Sequence, residues 1–419
     1  MSLPRLLTIM GSGETAPTMV KTHRALIERL GPGARALVLD TPYGFQENAP
    51  ELATRAQEYF GRSVGHPIEV AGLQVVKDAD SLTLAQGLSR VRDASYLFAG
   101  PGSPTYTLRQ WAGTPIPGEI AAKLRTGGAV TFASAAALTL GRFSVPVYEI
   151  YKVGDEPHWL DGLDLLSDIG LPVAVIPHFD NAEGGHHDTR FCYLGARRLA
   201  LMEALLPEGF HVLGVDEHTG VVIDIDAQTA TVVGNGSLTV RVRGQSSVYP
   251  SGTHLPLDAL RDPRTARTAP RPAQADLAPP TQTDDAPTIS LAAETARCEA
   301  TFAAALGGRD AAGAARAVLE LEDAIAAWSA DTLTSEEGDR ARAALRSMVV
   351  KLGEAAGVGL ADPRDAAAPY VAALLAVRAA VRAEKRFDLS DLVRDQLLEA
   401  GVEVRDTRDG VEWVLRSRG

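Results

Sequence analysis

The chain has 419 residues, 45% of them hydrophobic and only 5% aromatic, with a formal net charge of −12 at pH 7. That length exceeds one ordinary domain, and the acidic balance argues against non-specific binding to nucleic acid or anionic membranes. No run of 18 uninterrupted apolar residues occurs, Met1–Met10 is short for a secretory signal, and Cys192 and Cys298 match no metal-ligand spacing, so a reduced, cytoplasmic protein is expected.

In chain order, Arg5–Met10 reads as a strand followed by Gly11-Ser12-Gly13-Glu14 and a helix from about Thr18 to Leu30. Ala36–Asp40, Ile68–Val76 and Tyr96–Ala99 are further strands, alternating with helices over Glu47–Phe60 and Ser81–Arg92. Gly100-Pro101-Gly102-Ser103-Pro104 ends the fourth strand, and helices near Thr105–Trp111 and Ile116–Arg125 follow. Such alternation predicts an α/β fold, a mainly parallel doubly wound sheet with helices on both faces, whose ligand sits at the carboxyl ends of the strands. Val145–Tyr151 and Pro172–Phe179 read as strands, Thr189–Leu206 as a long helix, and Val212–Ile225 with Thr229–Val242 as a hairpin turning at Asp226–Gln228. From Pro250 to Ser290 eight prolines and no apolar periodicity mark a semi-extended linker, with a short ordered tail to about Arg261. From Leu291 an Ala-, Leu- and Arg-rich helical periodicity predicts a bundle of three or four helices, and Phe387–Trp413 a small αββ unit. The expected domains are 1–249, a linker 250–290, a helical domain 291–376 and a terminal unit 377–419.

Gly127–Leu138 carries the strongest chemical signal. Val130–Ala133 is a short buried strand handing Ser134 to a helix-forming Ala135–Leu140, so the hydroxyl meets the free N–H groups of a helix start. This is the physics of a nucleophile elbow, although Phe132 and Ala136 stand where G-x-S-x-G has glycines. A nucleophilic serine needs a base and a carboxylate to orient it. His178, predicted to end a strand of the same sheet, is the leading base, and Glu149, Glu217 and Asp216 are the acid candidates. The N–H groups of Ala135 and Gly102 could form an oxyanion hole, since Pro101 and Pro104 have none to offer.

Together these segments resemble the α-aspartyl dipeptidase and cyanophycinase family of serine peptidases, built on the class I glutamine amidotransferase-like fold. The resemblance spans about Leu6–Val242. Gly11–Glu14 looks like the family's first glycine-rich loop, Gly100–Ser103 like its G-G-G-N loop, and Ser134–Ala137 like its S-A-G-A segment. Pro177–Ala182 is similar to P-H-F-T-N-A, and Gly214–Thr219 to G-I-D-E-x-T. The family implies Ser134 as nucleophile, His178 as base and Glu149 as acid, with Glu217 its competitor, acting on a small peptide or isopeptide bond without a cofactor. Specificity for an aspartyl residue implies cationic groups, for which His186, His187 and Arg190 are candidates; Gly184–Asp188 lacks helical spacing, and no metal is expected.

Arg378–Trp413 resembles the C-terminal unit of bacterial cysteinyl-tRNA synthetases, and Glu299–Ile325 more faintly their anticodon-binding domain. The synthetase signatures H-I-G-H and K-M-S-K-S are missing from this sequence, so aminoacylation is not expected. The resemblance implies a module that contacts tRNA or docks a protein. From Ala286 onward 17 Lys and Arg face 22 Asp and Glu, a net of −5, which is a weak footprint for RNA. A catalytically inactive amidotransferase-like binding module carrying such a tail is the alternative reading.

Overall fold

β1 (Arg5–Met10) is apolar on both faces, as a central strand covered twice must be. Leu7 and Ile9 enter one core, while Leu6 and Met10 enter the other. The computed structural model of the chain describes residues 2–182, 187–262, 290–329, 336–358, 363–407 and 410–416. Successive elements are α1 (Val20–Arg29), β2 (Ala36–Val38), α2 (Ala49–Tyr59), β3 (Ile68–Val70), α3 (Ser81–Asp93) and β4 (Tyr96–Ala99). They continue with α4 (Pro104–Trp111), α5 (Ile116–Thr126), β5 (Gly128–Ala133) and α6 (Ser134–Leu138). A short ladder, β6 (Phe143–Ser144) with β7 (Leu160–Asp161), precedes β8 (Val173–Ile176), α7 (Gly195–Leu205) and β9 (His211–Val215). β10 (Thr219–Asp224), β11 (Thr229–Gly234), β12 (Ser237–Val242), β13 (Gln245–Pro250), β14 (His254–Pro256) and α8 (Asp258–Arg261) follow.

The main sheet runs β14-β11-β10-β1-β5-β4-β2-β3. Its half from β1 to β3 is parallel, and β10, β11 and β14 extend it antiparallel. Leu88 and Val91 of α3, Trp111 of α4 and Ile120 of α5 pack on one face; Leu26 of α1 and Tyr59 of α2 pack on the other. This is the expected α/β class with helices on both faces. β8 differs from expectation: it pairs in parallel with β9 in a second sheet, β13-β12-β9-β8, so His178 does not end a strand of the sheet that carries Ser134. The β-structure also runs on past residue 249, because β14 adds an edge to β11.

Two segments depart locally. Val145–Tyr151 is not a strand: Val147 and Ile150 are buried three residues apart, and Glu149–Val153 closes a wide helical turn through the N–H of Gly154 to the carbonyl of Glu149 (2.9 Å). The predicted helix from Thr189 begins only at Gly195. Phe191, Cys192 and Tyr193 before it are all left-handed, at φ of 63°, 54° and 64°.

The remaining helices are α9 (Leu291–Gly307), α10 (Ala311–Ala327), α11 (Glu336–Val358), α12 (Pro363–Ala383) and α13 (Phe387–Glu399), ending in the hairpin β15 (Val402–Thr407) and β16 (Gly410–Leu415). By compactness the chain forms two units, Met1–Ala293 with Ile325–Gly338, and Glu294–Ala324 with Asp339–Gly419. In the second, α12 runs unbroken across the boundary expected at 376–377, since no Gly or Pro interrupts residues 370–383. Val371, Leu397 and Val402 form a small core there, with Trp413 against it. α12 is long and apolar enough to cross a membrane by length and composition alone. Its Arg378 is nevertheless buried and makes two 2.9 Å bonds to the carboxylate of Asp406 on β15.

Candidate active site

Three turns converge at the carboxyl ends of β1, β4 and β5. Gly11 lets the first approach another backbone closely: a Cβ there would lie 2.0 Å from the carbonyl oxygen of Asp216. Gly102, at φ +139°, does the same in the second, where a Cβ would lie 1.9 Å from the carbonyl oxygen of Pro42. Ser103 then caps α4, its Oγ accepting from the N–H of Tyr106 (3.1 Å), with Pro104 at the first helical position. The third turn is Ser134 itself, held at φ +50°.

That backbone is a strained strand-to-helix turn of the kind that exposes a side-chain oxygen. Phe132 does not crowd it. The ring is fully buried in the core against Trp111, with centroids 6.2 Å apart. Ala136 donates its N–H to the carbonyl of Gly100 (3.2 Å), tying α6 to the second turn. The N–H groups of Gly102 and Ala135 make no hydrogen bond to another protein group among the described residues.

Ser134 Oγ lies 2.8 Å from His178 Nε2, and His178 Nδ1 lies 2.9 Å from Glu217 Oε1. Nδ1–H donating to the carboxylate leaves Nε2 free to accept from the serine hydroxyl. The Asn181 amide donates to the same Glu217 oxygen (3.1 Å), and Asp180 Oδ1 accepts the Glu217 N–H (2.7 Å). Burial pushes the Glu217 carboxyl up, but the hydrogen bond and charge of His178, with help from Asn181, hold it below its ordinary value. Asp216 goes the other way, to about 7, through burial and then the charge of neighbouring Asp180; its Oδ2 accepts from the N–H of Ser237 (2.8 Å). Asn181 lay within the quoted Pro177–Ala182 segment, yet nothing in its residue type distinguished it from a turn former.

Histidine 178 is itself left-handed, at φ +47°. The left-handed turn at 191–193 braces it: Cys192 N–H donates to the carbonyl of His178 (3.0 Å) and Phe191 N–H to that of Phe179 (2.9 Å). These three residues, with Ser134, His178 and His218, make six of the eleven non-glycine residues with positive φ among the described residues, so backbone strain concentrates at this site.

Other predicted residues have other partners. Glu149 Oε2 accepts from Thr105 Oγ1 (3.0 Å), and Glu217 rather than Glu149 faces His178 Nδ1. Arg190 is committed to a two-point pair with Asp188 (2.8 and 2.9 Å). His187 Nε2 is 3.4 Å from the hydroxyl of Tyr151. His186 lies outside the described residues. Among the described residues no cluster of His, Cys, Asp and Glu could hold a metal ion.

No protein-family model matches the chain. A peptidase from an acI-B1 Actinobacterium has a similar solved structure: TM-score 0.50, 22% identity, 61% of this chain and 98% of that one. At that identity the likeness is one of fold. Cysteine–tRNA ligases are similar in sequence to the other region named above. That of Pseudarthrobacter chlorophenolicus is 37% identical over 108 residues, 24% of this chain and 22% of the ligase. That of an Arthrobacter species is 36% identical over 121 residues, 27% and 24% of the two chains. The chain thus spans less than a quarter of the length of these ligases.

Proposed function

We propose that the chain is a serine hydrolase of peptidase type, cleaving a small peptide or isopeptide bond through Ser134, His178 and Glu217. The observation that carries this reading is the continuous chain of contacts from Ser134 Oγ through the imidazole to Glu217, on a serine held at positive φ. Ser134 Oγ gives its proton to His178 Nε2 and attacks the carbonyl carbon. Glu217 keeps the ring oriented and stabilises the imidazolium that results. The amides of Gly102 and Ala135 receive the oxyanion, and the proton on Nε2 passes to the departing amine. Water then repeats the sequence on the acyl-enzyme. The fold shared with a solved peptidase supports the substrate class. Glu149, engaged by Thr105, is the weaker acid candidate.

The test is labelling of the full chain by a serine-directed fluorophosphonate. Wild type should label and Ser134→Ala should not; folded wild type that stays unlabelled across neutral pH overturns the reading in favour of a binding module.

A second reading concerns the other unit alone. Its similarity to cysteine–tRNA ligases supports a docking role toward tRNA or a protein partner, independent of the hydrolase. A mobility shift of the full chain with tRNA at low salt tests it, because phosphate contacts are strongest there.

A further inference from the structure

Glu14 closes the first glycine-rich turn, and its side chain is fully buried. Neither carboxyl oxygen has a hydrogen-bond partner outside its own residue among the described residues. Its place is nonetheless held firmly. His23 Nε2–H donates to the Glu14 carbonyl (2.7 Å), and His23 Nδ1 accepts from the Tyr96 hydroxyl (2.6 Å), so a buried imidazole and phenol pin the backbone. The carboxyl lies against Gly100: a Cβ on that residue would come within 3.1 Å of Glu14 Oε1. Gly100 in turn accepts the N–H of Ala136 in α6 and opens the turn bearing Gly102. The charge of His178 pulls the Glu14 carboxyl down, against burial.

An unpaired buried carboxyl is costly, and an apolar side chain of equal length would pack there without that cost. The hydrolase reaction would use a polar group there, because the oxyanion would form at the amide of Gly102, in the turn that Glu14 Oε1 meets at Gly100. We propose that Glu14 is a positioning residue for the reaction at Ser134, the polar floor against which the Gly100–Ser103 turn is set. Burial raises the Glu14 carboxyl above its ordinary value, against the opposing pull of its own N–H and of the His178 charge, and so favours the neutral acid. A neutral acid is a dipole that can reorient its O–H as the oxyanion forms, without opposing it as a carboxylate would.

This inference rests on the hydrolase reading, and the experiment separates the two. Fluorophosphonate labelling rates and melting temperatures are measured for the wild-type chain, Glu14→Gln, Glu14→Met and Glu14→Ala. An unlabelled wild type overturns the hydrolase reading itself. With wild type labelled, Glu14→Met should melt higher yet label at least tenfold more slowly. Glu14→Gln, which keeps a donor and cannot ionise, should label within about threefold of wild type. Glu14→Ala repeats the loss of labelling should the methionine variant not fold. Wild-type labelling in the methionine or alanine variant makes Glu14 a packing residue only. A glutamine variant as slow as those two shows that the ionised carboxylate is required. Either result overturns the proposal.

Discussion

Phe132 stands two residues before Ser134, where a glycine is usual, and the structure turns this departure into a measurable claim. Its ring is fully buried between the main sheet and the helices, beside Trp111, so its contribution is to the core rather than to the turn. Truncating Phe132→Ala removes a buried aromatic ring and leaves a cavity, a change that costs about 3–5 kcal/mol. For a unit of this size each kcal/mol moves the melting temperature by about 2–4 °C, which places the expected drop at roughly 6–20 °C. Calorimetry on the full chain measures the drop, and fluorophosphonate labelling well below the transition measures the site. Labelling should stay within about threefold of wild type, because φ at Ser134 is set by α6 and the Gly100 contact and not by the side chain at 132. An unchanged melting temperature, or labelling at least tenfold faster, would refute this reasoning and make Phe132 an obstruction at the turn.

Four further outcomes are expected. Glu217→Gln should slow labelling by about 10²–10⁴-fold, as when a triad carboxylate is neutralised, while Glu149→Gln should leave the rate within threefold; the reverse pattern would make Glu149 the acid. Ser134→Gly should abolish labelling and raise stability by about 1 kcal/mol in denaturant titration, since glycine adopts positive φ freely. His23 is pushed down to about 4 by burial, so below its usual value near 6.5 the unfolded chain binds a proton that the folded chain refuses. Its contribution is therefore intact above about pH 6.5 and fades by roughly 3 kcal/mol down to pH 4; His23→Gln should lack this component, so the stability gap to wild type should narrow on acidification. In the second unit, Asp406→Asn strands the buried Arg378 guanidinium, and the unit should lose about 1–2 kcal/mol, less than for a fully buried pair because Asp406 is half exposed.

The α/β class was legible because strand and helix periods alternate cleanly from Arg5 to Ser134, where each element is local and either fully buried or amphipathic. The contact of Ser134 with His178 was legible only through motifs, since the two side chains meet across different sheets. No periodicity distinguishes Glu149 from Glu217. That choice depends on a helical turn carrying the first to Thr105 and on β9 delivering the second to the imidazole. The left-handed residues 191–193 were unreadable because Phe, Cys and Tyr carry no signal for positive φ. Glu14 was visible as part of a loop, but the burial of its carboxyl without a partner residue is a property of packing and not of local sequence.

The turn at Phe191–Tyr193 also limits how this sequence can drift. Left-handed backbone costs a non-glycine residue roughly 1–2 kcal/mol, and a side chain branched at Cβ fares worse still, so Val, Ile or Thr is effectively barred from three successive positions. Two amides of that turn hold the carbonyls of His178 and Phe179, so an exchange there is felt at the imidazole without any contact with Ser134. Random substitution across 191–193 should therefore yield a narrow set of survivors, rich in Gly and Asn.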